Sequence, residues 1–430
     1  MRQLRVLSVV MISLPTLVSA QTGADGTNEL IQKLLARIDK LEARVAQLES
    51  GGHATTPAAT PDAAQVLPPA RPIQHDHDAA PSDAAQTVYP ALKISGFSDF
   101  DFSSTNLRGP SGGFGAQTLL GAHSGFQEGQ FDLHLSSALS SKVNVLSELS
   151  LTARSDAGTG TPPATGFNAE VERLIIRYDL DDAFKVSFGR YHTPINYWNT
   201  QFHHGQWLQT TISRPEMTQF GGSFIPVHFV GMLVEGTVPA SGLNLTYNVG
   251  LGNGRGQVIS RGGDLGDINN NRAWLVNAYL KPDFAYGLRV GGSVYRDEIS
   301  PATGLPTREW IQSGHIAWEK EKPEVIAEFA NVTHQPIGGT GPSHSQAFYV
   351  QTAYRLPWWH QTWKPYYRLE SIHVPRSDVL FRAVPSFLGS TFGVRYDITT
   401  FAAFKFEYRI YDRRDLLTIH GVFAQTSFTF

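Results

Sequence analysis

The sequence has no cysteine in 430 residues, which excludes a disulfide scaffold, thiolate zinc sites and cysteine nucleophiles. It also lacks a hydrophobic run long enough for a membrane helix. The longest mainly apolar stretch, residues 6–18, falls short of the roughly 20 residues that a bilayer requires. Charge is sparse too: Asp, Glu, Lys and Arg make up 17% of the chain and leave a net charge of −3. That balance carries no footprint for nucleic acid, and no such partner is expected. What the chain does have is 11% aromatic residues and 40 glycines. A large, aromatic, glycine-rich and weakly charged chain is either a soluble β-protein or a membrane β-barrel.

The first 20 residues read as a secretory signal. Arg2 and Arg5 form the basic end, residues 6–18 the apolar centre, and Val18-Ser19-Ala20 a small-residue cleavage site before Gln21. Removing it takes two arginines and moves the net charge from −3 to −5. Over residues 28–49, Ile31, Leu34, Ile38, Leu41, Val45 and Leu48 alternate spacings of three and four, a heptad seam. Arg37 and Arg44 fall at g, with Glu42 and Glu49 at e, where parallel neighbours would pair. The seam predicts a periplasmic coiled coil that associates copies of the chain, its a and d residues leaning towards two strands. One amphipathic helix folded on its own domain is the alternative. Residues 50–88 are aperiodic and rich in Ala and Pro, an extended linker. His75 and His77 within it have no third or fourth ligand placed beside them, so they read as solvated loop rather than as a metal site.

Beyond Val88 the pattern changes to period two. Phe404, Phe406, Tyr408 and Ile410 alternate with Lys405, Glu407 and Arg409, and Val143, Val145, Leu149 and Leu151 alternate with Asn144 and Glu148. An apolar face opposite a charged one over about ten residues is the alternation of a transmembrane strand. Sixteen such segments can be placed, starting near residues 91, 124, 142, 168, 184, 227, 242, 270, 286, 308, 323, 344, 363, 386, 402 and 416. The links after even-numbered segments are short and most others long, as expected of bacterial barrels. Trp358, Trp359, Trp363, Tyr366 and Tyr367 crowd one short link and the strand after it, as an interfacial girdle would. The chain ends on Val422, Ala424, Thr426, Phe428 and Phe430, an alternating strand with a terminal aromatic. The expectation is an all-β fold: a transmembrane antiparallel β-barrel of about 16 strands over residues 89–430, with both chain ends in the periplasm.

With those residues in hand, the sequence resembles the porin O/P-like superfamily of outer-membrane porins, including relatives with an N-terminal periplasmic coiled coil. The likeness is carried by Val186-Ser187-Phe188-Gly189-Arg190-Tyr191-His192-Thr193-Pro194, by Gly250-Leu251-Gly252-Asn253-Gly254-Arg255-Gly256 and by Glu324-Val325-Ile326-Ala327-Glu328-Phe329-Ala330. The resemblance implies a trimer in the outer membrane of a Gram-negative-type bacterium. The terminal Phe430 resembles the signal read by the barrel-assembly machinery. The resemblance also implies that the third outer loop, about residues 193–226, folds inward as a constriction. That loop carries Tyr197, Trp198, Phe202, His203, His204, Trp207, Arg214 and Glu216. Aromatic faces with hydrogen-bonding tips would suit sugars or aromatic and carboxylate solutes; packing of the loop against the wall is the alternative. His203 and His204, without a supporting carboxylate, do not make a metal site.

Parity sends the charged strand residues inward, because a lipid-facing Arg at mid-membrane costs about 2–4 kcal/mol. Arg173, Arg177, Arg289, Arg355, Arg368, Arg395 and Arg409 are then wall residues, with Lys405, Glu328, Glu370, Asp397 and Glu407 among them. Over residues 91–430 there are 20 Arg and 8 Lys against 29 acids. An arginine ladder would favour anions; an internal Arg–carboxylate network would only brace the wall. The third loop and the fifth, about residues 298–307, contain no lysine, a departure from phosphate-specific members of the superfamily. The expected function is a passive channel for small hydrophilic solutes, with a mild anion preference and no cofactor. A structural tether or adhesin using the coiled coil is the alternative. An outer-membrane phospholipase would need a Ser–His pair with a polar orienter, and Ser371 with His373 lacks a third partner.

Overall fold

A computed structural model describes residues 89–106, 125–153, 167–202, 205–219, 224–260, 262–339, 341–382 and 384–430. The signal sequence, the heptad seam, the linker with His75 and His77, and the pair His203 and His204 lie outside the described residues.

Among the described residues are sixteen strands. The first four are Ala91–Thr105 (β1), Gly125–Ala138 (β2), Val143–Ala153 (β3) and Phe167–Asp181 (β4). Phe184–His192 (β5), His228–Val238 (β6), Leu245–Asn253 (β7) and Ala273–Leu280 (β8) follow. Then come Leu288–Ile299 (β9), Thr307–Trp318 (β10), Glu324–Pro336 (β11) and Ser343–Ala353 (β12). Trp363–His373 (β13), Phe387–Thr399 (β14), Ala402–Arg413 (β15) and Ile419–Thr429 (β16) complete the set. Every strand pairs antiparallel with its neighbours in sequence, and β1 pairs with β16 to close the barrel. The terminal residue takes part in the closure. Gly96 and Phe430 exchange backbone hydrogen bonds at 2.9 and 3.1 Å, and the Phe430 ring stacks on Phe131 at 5.8 Å.

Alternation decides which side each residue faces. In β15, Phe404, Phe406, Tyr408 and Ile410 are exposed, while Ala403, Lys405, Glu407, Arg409 and Tyr411 are buried inside. In β12, Phe348 and Val350 face out, and Ser345, Tyr349 and Gln351 face in. An outside that is apolar and an inside that is charged invert the arrangement of a soluble barrel and make this a transmembrane one. The short links after even-numbered strands and the longest links after odd-numbered ones separate the barrel into a short-turn end and a long-loop end. Strand ends fall within three residues of those expected from the sequence. Two departures have local causes. Leu243 and Asn244 belong to a tight turn in which Asn244 has a φ of 48°. Arg355, expected on a strand, lies in the link between β12 and β13.

The described residues of the connection 193–227 lie inside the barrel. Ile195, Trp198, Ile212, Phe224 and Ile225 from it are each at most 2% exposed. Room for its entry comes from glycine. Gly189, Gly231 and Gly252 are register partners across β5, β6 and β7. A Cβ on any of them would sit 1.9–2.3 Å from a backbone carbonyl of the adjacent strand, so this patch of wall has no side chains. Gly189 also has a φ of +148°, which disfavours an L side chain.

Candidate functional site

The inward connection leaves β5 through Thr193, whose N–H donates to Val227 O at 2.9 Å and so brings the two ends of the loop together. Pro194 and Asn196, with a φ of 62°, turn the chain into the barrel. The N–H of Asn196 donates to Ser293 Oγ at 3.1 Å, and Asn199 Nδ2 donates back to Thr193 O at 2.7 Å. A single helical turn, Trp198–Gln201, follows. The N–H of Trp198 at its start donates to Glu328 Oε1 of β11 at 2.5 Å. The Trp198 ring meets Tyr349 edge-on at 5.9 Å. Beside it, Tyr197 lies under the Arg289 guanidinium at 5.1 Å. Burial, and then the Glu319 carboxylate, push the Tyr197 hydroxyl well above its ordinary range.

Further along, charged side chains of the wall hold the loop through its backbone. Arg395 of β14 donates to Trp207 O at 2.6 Å and Gln209 O at 3.0 Å. Lys405 of β15 donates to Thr211 O at 3.1 Å and also to Gln206 O. Two further groups on β13 and β15 reach the next residues. Glu407 accepts the N–H of Ile212 at 2.7 Å, and Arg368 donates to Ser213 O at 2.8 Å and Arg214 O at 3.1 Å. Glu370 accepts the N–H of Glu216 at 2.7 Å. The arginines have their own counter-charges, Arg368 with Glu370 at 3.1 Å, Arg409 with Glu407 at 2.7 Å and Arg395 with Asp397 at 2.7 Å, while Lys405 also donates to Gln425 Oε1 at 3.2 Å. Hydrogen bonds to charged groups contribute about 1.5–3 kcal/mol each, so this row fixes the loop at mid-height of the barrel.

The remaining wall arginines that the sequence pointed to are also paired. Arg173 pairs with Glu148, which is fully buried and also lies 2.9 Å from His134 Nε2 and 3.2 Å from His192 Nε2. Arg177 grips Asp179 with two hydrogen bonds, at 2.7 and 3.0 Å, and reaches Glu235 at 3.4 Å. Arg289 lies 3.5 Å from Glu319, and Arg355 bridges Glu321 at 2.9 Å and Asp397 at the short-turn end. Inside the loop, burial brings Arg214 down to about 9, while its Nε donates to Thr218 O at 3.0 Å. Its sequence neighbour Glu216 is directed elsewhere, to the Glu370, Arg368 and Arg409 group. Ser371 Oγ donates to Phe387 O at 3.1 Å, so it is not aimed at His373.

Parity alone could have added Glu148 and Glu324 to the expected site. Glu324 accepts from Thr210 Oγ1 at 3.0 Å and from Lys364 at 2.6 Å. The sequence did not signal a second cluster at the long-loop end, where Arg255, Glu309, His334 and Asp378 meet. One group among the described residues has the donor set of a metal site: Glu172, His192 and His228, their ligand atoms within 4.8 Å of one another. Arg190 donates to His228 Nδ1 at 3.0 Å, which leaves the ring hydrogen on Nε2, 2.5 Å from Glu172. A metal would need that Nε2 lone pair, and Arg190 adds a positive charge 3.7 Å from the same carboxylate. Glu172 is therefore shared by His228 and Arg190 as a charged brace and is not a metal ligand.

No family model and no curated protein matches the sequence. Solved structures do match. The outer membrane channel DcaP of Acinetobacter baumannii is 10% identical, over 79% of this chain and 97% of that one, with a TM-score of 0.52. OmpF of Salmonella typhi, solved in complex with daunomycin, is 10% identical over 79% and 98%, with a TM-score of 0.54. The in-vitro folded trimer form of OmpT, an outer membrane protein of Vibrio cholerae, is 10% identical over 79% and 99%, with a TM-score of 0.50. At that identity the likeness is one of architecture: the chain has the fold of the outer-membrane porin barrels.

Proposed function

We propose that this chain is an outer-membrane porin of the porin O/P-like type, a passive diffusion channel for small hydrophilic solutes. The observation that carries this reading is the connection 193–227, drawn inside the barrel and fastened at mid-height by Glu328, Arg368, Glu370, Arg395, Lys405 and Glu407. A tether or adhesin needs a stable wall but no polar, narrowed bore. A solute filter needs both. On this reading the long-loop end faces outward and the short-turn end faces the periplasm, with the heptad seam and Phe430. The signal sequence delivers the chain, Phe430 serves recognition by the assembly machinery, and the seam joins copies into an oligomer, a trimer like the form in which OmpT was solved. Because Arg173 and Arg177 have carboxylate partners, the anion preference is mild. Single-channel recording of the folded full chain in a planar bilayer tests the proposal. Open ohmic steps are expected; a folded barrel that inserts and stays silent would leave the tether as the better reading.

A further inference from the structure

At the long-loop end, a histidine with no exposed surface is clasped by two carboxylates. His334 Nδ1 lies 2.9 Å from both oxygens of Asp378, and its Nε2 lies 2.9 Å from Glu309 Oε2. Asp378 belongs to the connection 374–386. Its Oδ1 accepts the N–H groups of Leu380 and Phe381, each at 3.1 Å, and its Oδ2 accepts Ser345 Oγ at 2.7 Å. Glu309 is held in turn by Arg255 Nε at 2.9 Å, and Arg255 also donates to Phe224 O at 3.0 Å. Phe381 packs edge-on against His334 at 4.5 Å and stacks on Phe224 at 5.3 Å. One imidazole thus links β10 and β11 to two loops: the 374–386 connection, and the returning arm of the inward loop through Phe224.

The hydrogen count follows from the partners. A carboxylate only accepts, so each ring nitrogen facing one must carry a hydrogen, and both do so only in the imidazolium. Every element packed around the ring supplies a charged, polar or aromatic group. Glu309 comes from β10, Ser345 from β12, Asp378 from the 374–386 connection and Arg255 from the segment after β7. Asp297 of β9 stands behind, accepting the Arg255 N–H at 2.8 Å and Tyr295 OH at 3.0 Å. The cluster then holds three carboxylates, of which Glu309 faces the Arg255 guanidinium, and the imidazolium supplies the second positive charge. When the ring loses a proton, one carboxylate faces a bare lone pair in a dry site, which is costly. The acid side is silent over the same range. Burial alone would raise Asp378, but hydrogen bonds and charge from His334 hold it below the usual carboxylate range.

We propose that His334 is a proton-held latch: doubly protonated, it fastens the 374–386 connection down over the inward loop, and loss of one proton frees that connection. If the barrel is the channel proposed above, release widens its outer mouth.

The connection carries its own reporter, since Arg376 and Arg382 are exposed trypsin sites. Folded full-length protein should be cut there slowly at about pH 7 and at least about tenfold faster at about pH 9.5, in line with losing one hydrogen bond to a charged group. Asp378→Asn, a change outside the strands, should be cut fast at both pH values, as should His334→Gln. Equal cleavage of the unmodified protein at the two pH values, whether slow or at the rate seen for Asp378→Asn, overturns the latch. Conductance separates this inference from the channel reading. pH-dependent cleavage in a barrel that never conducts keeps the latch and removes the channel, whereas a conducting barrel with flat cleavage does the reverse.

Discussion

Two acids outside the strands show how neighbours set the charge of a buried carboxyl. Glu321, in the link after β10, would be raised by burial, but Lys364 at 3.1 Å and Arg355 at 2.9 Å hold it below the usual range. Glu216, in the inward loop, goes the other way. Burial and then the Glu370 carboxylate push it up to about 7. The sign follows from linkage. A carboxyl that binds its proton more tightly when folded stabilises the fold below its unfolded value of about 4.3, and loses that contribution as pH rises through about 7. Glutamine is neutral at every pH, so Glu216→Gln should match the unmodified protein near pH 4. Near pH 8 it should exceed it by on the order of 3 kcal/mol, since one pKa unit is worth about 1.4 kcal/mol. Thermal unfolding of the detergent-solubilised barrel across that range would measure the difference. Parallel curves at both ends would show that Glu216 is ionised without cost.

At the scale of the element, the strands and the inward loop differ in how legible they were. A strand advertises its inner face because one residue in two must meet lipid. Phe404, Phe406 and Tyr408 against Lys405, Glu407 and Arg409 are enough to place β15 and its orientation. The loop obeys no such period. Its position depends on hydrogen bonds such as Ile212 N–H to Glu407 and Ser213 O to Arg368, between residues 195 and 155 apart in sequence. Nothing local to residues 206–219 encodes them. That is also why Arg214 and Glu216 look like a pair in the sequence and take different partners in the fold. The cluster around His334 was hidden for the same reason, with Asp378 and Glu309 brought to the ring from 44 and 25 residues away. The same geometry makes a test of the loop. Glu407 accepts from Ile212 N–H, Ser213 Oγ, Tyr366 OH and Arg409. Glu407→Ala would remove the carboxylate paired with the buried Arg409, a loss of about 3–5 kcal/mol. The expected result is a barrel with its strand circular dichroism intact, a lowered unfolding temperature and larger, noisier conductance steps. Steps indistinguishable from those of the unmodified protein would show that the loop is held without Glu407.

For the whole molecule, the question is what field a wall of paired charges leaves in its bore. Arg173 faces the fully buried Glu148, and Arg177 is shared by Asp179 and Glu235. Such pairs cancel most of each other's field at a distance, while a low local dielectric magnifies what is left. The two arginines stand on β4, beside the strand that leads into the inward loop, and Arg214 lies within that loop. The residual field should therefore favour anions slightly. Reversal potentials in a salt gradient read that balance directly. Changing Arg173 and Arg177 together to Gln would leave Glu148, Asp179 and Glu235 with less compensation, so the preference should fall to zero or turn towards cations. The effect should also fade with salt, as the screening length shortens from about 10 Å at 0.1 M to about 3 Å at 1 M. A cation preference in the unmodified protein, or a double variant with an unchanged reversal potential, would mean that these arginines brace β3, β4 and β6 and contribute nothing to selection.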